Sequence, residues 1–288
     1  MMKKKKIYKI IGIMTGTSMD GIDISLCSTD GVDIIKILYE KSYKYSILEQ
    51  INIKNFNKTK IKQEKLINNL DLKVSKLIQK FLKRFLKDFN IKNNSVDYIS
   101  MSGQTILHLP NKKFTLQIGN PQLIANYFKI NVISNFRNKD ISKGGQGAPI
   151  GAYYHKLLIK KININSVIIN LGGVANFALM YKNIFFSSDI GPANGISDDL
   201  MFYFFRKKYD KNGNLASKGK KNIKILNIFK KDNFFKKKFP KSLDRNNFHY
   251  LLNKLKKINS YDALNTSLHF TIHSILNLLD NKLCSNIN

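Results

Sequence analysis

The placement of its glycines constrains this chain more than any other feature. There are 16 glycines in 288 residues, most fall in a few clusters between Gly12 and Gly219, and none lies after Gly219. Glycine turns a chain sharply and lets backbone approach a ligand closely. Two clusters sit between apolar runs. Gly16-Thr-Ser-Met-Asp-Gly21 separates Ile7–Met14 from Ile22–Ser28, and Gly172-Gly173 separates Ser166–Asn170 from Val174–Met180. Run, glycine turn and run predict a hairpin each time. With one such hairpin in each half, the chain is predicted to be an α/β protein of two lobes with a cleft between them.

Composition narrows the function classes. With 49 Lys+Arg against 19 Asp+Glu the formal charge is +30, and such a surface attracts polyanions whatever its fold. However, 45 of the basic residues are Lys and only 4 are Arg, while Ile (39) and Asn (34) abound and Ala (8) is scarce. Lys, Ile and Asn have AT-rich codons, so the charge reads mainly as base bias. A dedicated nucleic-acid surface more often uses the planar fork of Arg. Against that drift Arg137 and the glycines stand out. A hydrophobic share of 43% argues against disorder. Two cysteines, Cys27 and Cys284, are too few for a disulfide scaffold or a Cys-rich metal site, and predict a reduced, cytoplasmic protein. The basic Met1–Lys6 start is followed by no cleavage site. No apolar run approaches the roughly 18 residues that span a bilayer, so no membrane partner is expected.

The patterning predicts further elements. Val32–Glu40 reads as a third strand, and Leu66, Leu70, Val74, Leu77, Ile78, Phe81, Leu82 and Phe85 mark a long amphipathic helix over Ile61–Phe89. Val96–Met101 is a strand ending in a Ser102–Thr105 turn, Phe114–Ile118 another, Gln122–Tyr127 a short helix, and Asn131–Ser134 a strand. The Gly-rich, polar stretch Asn135–Gly151 reads as a break, dividing an N-terminal lobe over 1–135 from a C-terminal lobe over 136–288. Beyond it, Ala152–Lys160 is helical. Ser166–Asn170 reads as a buried strand, Val174–Met180 and Asn183–Ser187 as two more, the last ending at Asp189. Gly195–Tyr209 is helical, the Lys-studded Asn222–Lys238 a solvated face, and Ser260 caps a closing helix to Leu279.

Several of these turns carry chemistry. Consecutive N–H groups in Gly16–Gly21 suit a phosphate nest, Thr17 and Ser18 add hydroxyl donors, and Asp20 and Asp23 suit Mg²⁺ directly or through water. The spacing is not that of a Walker A loop. Asn170–Asn176 reads as a second phosphate-facing hairpin. Asp189, at a strand end before Gly191-Pro192, suits a general base or the cap of the following helix, a place that Asn194 also suits. Arg137 and Asp140, three residues apart, suit sugar hydroxyls or a carboxylate, or a salt bridge that fixes a loop. His269 and His273 are four apart but lack the Glu and third ligand of a zinc site, so no metal site is expected there.

Taken together, the segments are similar to one family. Ile13-Met-Thr-Gly-Thr-Ser-Met-Asp-Gly-Ile-Asp23 resembles the opening of the anhydro-N-acetylmuramic acid kinases. So do, in family order, Gly103-Gln-Thr105, Thr115–Pro121, Phe136–Asp140, Gly144–Pro149, Asn170–Asn176, Asp189–Asn194, Tyr209–Gly213 with Ala216 and Gly219, and Lys241-Ser242 with Arg245. The resemblance implies a two-lobed actin-like ATPase (ribonuclease H-like) fold, usually dimeric. Its implied activity is ATP- and Mg²⁺-dependent opening of 1,6-anhydro-N-acetylmuramic acid with phosphorylation of O6, a step of cell-wall recycling. It implies Asp189 as the catalytic base, and nucleotide contacts from Gly16, Thr17, Ser18, Met19, Asp20, Gly21, Ile22, Asp23, Gly172 and Gly173. It further implies substrate contacts from Gln104, Thr105, Arg137, Asp140 and Asn194. The chain departs from the family pattern at Ser102, Asn135, Ile190, Ala193 and Asp244, where His, Asp, Thr, Gly and Gly are usual. The family pattern also continues past the Leu264–Leu279 helix by roughly 80 residues, so the second lobe is expected to be incomplete. Two other readings stand beside the kinase: an inactive sugar- or nucleotide-binding remnant of it, and a basic nucleic-acid binder.

Overall fold

The computed structural model describes residues 6–16, 19, 21–54, 64–162, 166–182 and 184–280. The chain divides into two compact units, 1–145 and 146–288. The helix at Phe136–Ser142, which the sequence reading left in the break, therefore goes with the first unit.

The first unit contains β1 (Tyr8–Thr15), β2 (Gly21–Thr29), β3 (Ile35–Lys44), α1 (Ile47–Lys54), α2 (Glu64–Asp88), β4 (Tyr98–Met101), β5 (Gln104–Leu109), β6 (Phe114–Ile118), α3 (Pro121–Phe128), β7 (Asn131–Ile133) and α4 (Phe136–Ser142). Its main sheet has the order β3-β2-β1-β4-β7. β1 and β2 form the expected antiparallel hairpin, while β1, β4 and β7 run parallel, so the sheet is mixed. Alternation puts Ile11, Ile13, Ile22 and Ile24 on one face, where α2 lays Leu70, Val74, Ile78, Phe81 and Leu82 in a single core. β1 is thus buried on one face only, and Met14 is exposed.

Several boundaries differ from expectation for local reasons. β3 starts later because Asp30 Oδ1 accepts the N–H groups of Val32, Asp33 and Ile34 and ties residues 30–34 into a turn. α1 was not expected, yet Ser46 and Glu49 form a reciprocal capping box: the Ser46 N–H reaches Glu49 Oε2 at 2.7 Å and the Glu49 N–H reaches Ser46 Oγ at 3.3 Å. The Ser102–Thr105 turn is shorter than predicted, because Gln104 already opens β5, which pairs with β6.

The second unit contains α5 (Ala152–Ile162), β8 (Val167–Leu171), β9 (Val174–Tyr181), β10 (Ile184–Pro192), α6 (Asn194–Phe205), α7 (Ile223–Lys230), α8 (Asn233–Lys236), α9 (His249–Leu255) and α10 (Ser260–Leu279). The three strands form an antiparallel meander in the order β10-β9-β8. β8 is an edge strand, half-buried at Val167–Ile169 and exposed at Asn170 and Leu171, which corrects the expectation of a buried strand. The Lys-studded stretch is no simple solvated face: Ile225, Leu226, Phe229 and Phe234 are buried, and Phe229 stacks on Phe270 of α10 at 4.3 Å. The cap of α10 is Asn259 rather than Ser260, because Asn259 Oδ1 accepts the Tyr261 and Asp262 N–H groups. Among the described residues, no helix is long and apolar enough to cross a membrane.

Candidate active site

The first glycine turn is closed by the Met19 N–H on Gly16 O, at 3.1 Å. The same oxygen accepts Gln104 Nε2 at 3.1 Å. Thr17, Ser18 and Asp20 lie outside the described residues. Met19 and Ile22 bury their side chains in the core, so only their backbone can face a ligand. Gly21 is required by the sheet itself, since a Cβ there would sit 2.5 Å from Tyr43 O. Asp23 is exposed and accepts the Ser42 hydroxyl at 2.5 Å.

Gln104 is fully buried, and its side-chain amide ties β5 to this turn. Replacing it with Leu keeps the volume but removes one of the two bonds to Gly16 O, leaving that of the Met19 N–H. We expect Gln104→Leu to lower stability by about 1 kcal/mol, the usual net worth of one such bond, and urea denaturation checks this. Thr105 sits half-buried next to the β5–β6 bulge. Arg137 is half-buried on α4, and Asp140 on the same helix folds its carboxylate against Gly145. A cavity of about 170 Å³ lies where β4 and β7 end, lined by Ser102, Gly103, Asn120, Ser134 and Asn135 among others, and includes none of the expected substrate contacts.

The second glycine turn is held by the start of α6. Asn194 N–H reaches Gly172 O at 2.9 Å, and the N–H groups of Ala193 and Gly195 both reach Gly173 O at 3.2 Å. Asn194 is not the helix cap, which falls at Ala193. Its side-chain amide donates instead to Leu171 O at 3.0 Å, so it braces this turn.

Asp189 lies within β10, not at its end, because the strand runs on to Pro192 through a bulge between Asp189 and Gly191. It is 5% exposed. A strap at residues 241–243 grips it. The Asp189 N–H donates to Lys241 O at 3.0 Å, and the Leu243 N–H donates to Asp189 Oδ2 at 2.8 Å. The hydroxyl of neighbouring Ser188 donates to Lys241 O and accepts the Lys241 N–H, both at 2.8 Å. The match to Lys241-Ser242 pointed to this segment, but nothing in its residue types announced that its backbone would hold the carboxylate. Asn176 of β9, absent from the expected set, stands directly opposite Asp189.

Lys241 anchors the strap. Its ammonium donates to Phe234 O at 3.0 Å and lies over the rings of Phe234, Phe235 and Phe239. Burial, aided by the charge of Lys237, pushes the Lys241 ammonium down from 10.5 to about 8. The aromatic faces offset part of that cost. A lowered lysine pKa means that the unfolded chain binds the proton more tightly. The penalty is therefore complete below about pH 8 and is relieved as pH rises toward 10.5. Urea denaturation is expected to give rising stability between pH 8 and 10, and Lys241→Met is expected to lack that rise.

Thr15 Oγ1, at the end of β1 beside the first turn, is buried without a hydrogen-bond partner among the described residues. At Gly172 an added Cβ would meet nothing nearer than 3.6 Å, which leaves room beside the second turn. Both observations fit a phosphate-bearing ligand. Among the described residues no three His, Cys, Asp or Glu cluster as metal ligands. His273, far from being a ligand, packs edge-on against Phe229 and Phe235.

These features define a class: an α/β protein with a glycine-turn hairpin in each unit and a buried carboxylate in the second. Comparison with known proteins is more specific. The family described as "Anhydro-N-acetylmuramic acid kinase" matches residues 8–285. Proteins of that name are 34% identical in Gamma-proteobacterium EBAC31A08, covering 95% of this chain and 75% of the relative, and 35% identical in Clostridioides difficile, covering 92% and 74%. A third, from Pelagibacter ubique, is 34% identical and covers 93% and 73%. A solved structure of a reductive activator for a corrinoid, iron-sulfur protein covers 68% of the chain at a TM-score of 0.33 and 14% identity, too distant to carry any argument. The chain belongs to the anhydro-N-acetylmuramic acid kinase family.

Proposed function

We propose that this chain opens 1,6-anhydro-N-acetylmuramic acid and phosphorylates its O6 with ATP, giving N-acetylmuramic acid 6-phosphate in a cytoplasmic step of cell-wall recycling. The observation that carries the reading is the buried Asp189 carboxylate, oriented by the Leu243 N–H. A carboxylate held in this way can take a proton from water without first being reoriented. The water oxygen bonds to the anomeric carbon, the C1–O6 bond breaks, and its electron pair stays on O6. O6 then bonds the γ-phosphorus of ATP as the bond from that phosphorus to the β,γ-bridging oxygen breaks and ADP leaves with its electron pair, while the proton held by Asp189 passes to solvent.

In this reading the chain has the actin-like ATPase fold and works as a homodimer. The backbone of Gly16–Asp23 and that of Gly172-Gly173 contact nucleotide phosphates. Asp23 and Asp20 help hold Mg²⁺, which neutralises phosphate charge. Gln104 and Asn194 support the two turns. Thr105, Arg137 and Asp140 contact the sugar, where a guanidinium suits the lactyl carboxylate. Incubating the purified chain with the anhydro sugar, ATP and Mg²⁺ tests this. A sugar phosphate and ADP in equal amounts are expected, and ATP consumption indifferent to the sugar would contradict it.

A further inference from the structure

The three strands of the second unit carry a row of polar side chains in register. Asn170 of β8 pairs with Asn176 of β9, and Asn176 pairs with Asp189 of β10. Directly opposed residues in an antiparallel sheet project from the same face, with Cβ atoms roughly 5 Å apart. The row therefore sits on one face of the sheet, level with the glycine turn that joins β8 to β9. Neighbouring positions on β9 are filled with core residues, Ala175, Phe177 and Ala178. Asn176 breaks that apolar run, and its carbonyl oxygen Oδ1 is buried with no hydrogen-bond partner among the described residues. A buried acceptor left unpaired costs stability, and such an atom beside a general base calls for a donor from the ligand side.

We propose that Asn176 is a catalytic residue that orients the hydrolytic water. A water molecule has two hydrogens to give. With one accepted by the Asp189 carboxylate and the other by Asn176 Oδ1, its lone pair is directed at the anomeric carbon. As the C1–O bond forms, Asp189 takes the first proton, the C1–O6 bond breaks, and O6 keeps the electron pair. Asn176 keeps no proton and carries no charge. Its part is alignment, which can be worth orders of magnitude in rate. The inference rests on the reading of Asp189 as the base.

Two variants of the purified chain test it in the same kinase assay as Asp189→Asn. Asn176→Ala removes the acceptor, and kcat is expected to fall about 30- to 100-fold, with KM for the sugar and for ATP within about threefold. Asn176→Asp keeps an acceptor oxygen at the same place opposite Asp189, although the second carboxylate also raises the proton affinity of the pair and moves the acidic limb of the kcat–pH profile to higher pH whatever the role of Asn176. Above that limb its kcat is expected to return to within about tenfold of the parent, a rescue that a purely structural asparagine would not produce. If Asn176→Ala does not fold, Asn176→Leu, which lacks the acceptor but keeps the volume, takes its place with the same expected fall. A folded variant without the acceptor turning over within threefold of the parent, or an Asn176→Asp no faster above its limb than that variant, overturns the proposal. Loss of turnover in Asp189→Asn alongside either result leaves the base reading intact. Full turnover in Asp189→Asn removes that reading, and this proposal with it.

Discussion

Asp189→Asn is expected to lower kcat by about 10³-fold, in the middle of the range for removing a general base, while leaving the protein folded and able to bind sugar. The substitution is close to isosteric. The amide oxygen of the new side chain can still accept the Leu243 N–H that now reaches Asp189 Oδ2 at 2.8 Å, and the backbone bond to Lys241 O is untouched. What is lost is the ability to take a proton. The thermal midpoint should stay within about 4 °C of the parent, the size of a change near 1 kcal/mol in a unit of this length. Calorimetric titration with the anhydro sugar should return a Kd within a few-fold. A variant that binds sugar, melts normally and still turns over at the parent rate would exclude Asp189 as the base.

Gly191→Ala is expected to be the most damaging small substitution near the site, costing about 3 kcal/mol, at the upper end for overpacking. An added Cβ would overlap Ser274 Oγ and lie 2.6 Å from Ser274 Cβ. Ser274 is fully buried on α10 and already donates to Phe270 O at 2.9 Å, so it has nowhere to turn. β10 cannot retreat easily either, since Gly191 pairs with Ala175 and Asp189 is tied to Lys241. The thermal midpoint should fall by roughly 6–12 °C, and turnover should fall with it, because the displaced bulge carries Asp189. Adding Ser274→Gly removes the opposing Cβ and should recover part of both losses, despite about 1 kcal/mol for glycine inside a helix. A double variant no better than the single one would show that the contact with α10 is not the cause.

The sequence disclosed most where one local rule acts alone. The β1–β2 and β8–β9 hairpins follow from apolar runs around glycines, and α2 follows from its 3.6-residue period. Legibility failed where partners far along the chain decide. The burial of Phe229 and Phe234 amid lysines depends on Phe248 and Phe270, which only the fold brings alongside. α1 was legible through Ser46 and Glu49 but its exposed Ile47 and Leu48 hid the helical period. The extension of β10 past Asp189 was obscured by Gly191 and Pro192, which usually end a strand, whereas here they follow a bulge. At the site, residue type pointed to Asp189 and to the glycine turns. It did not give the strap at 241–243, which acts through backbone atoms that every residue has. Gln104 and Asn194 illustrate the same limit: their motifs marked them, but the hydrogen bonds by which each braces a turn reach 88 and 23 residues along the chain.

In the proposed reaction water opens the ring at C1, and the O6 so released takes the γ-phosphoryl group. The most direct measurement is the reaction run in ¹⁸O water with ATP, Mg²⁺ and the anhydro sugar, with the product analysed promptly by mass spectrometry. One heavy oxygen on C1 of the sugar phosphate, and none in its phosphate group, is the predicted result. A sugar phosphate that keeps its anhydro ring, or heavy oxygen found only in inorganic phosphate, would contradict the account.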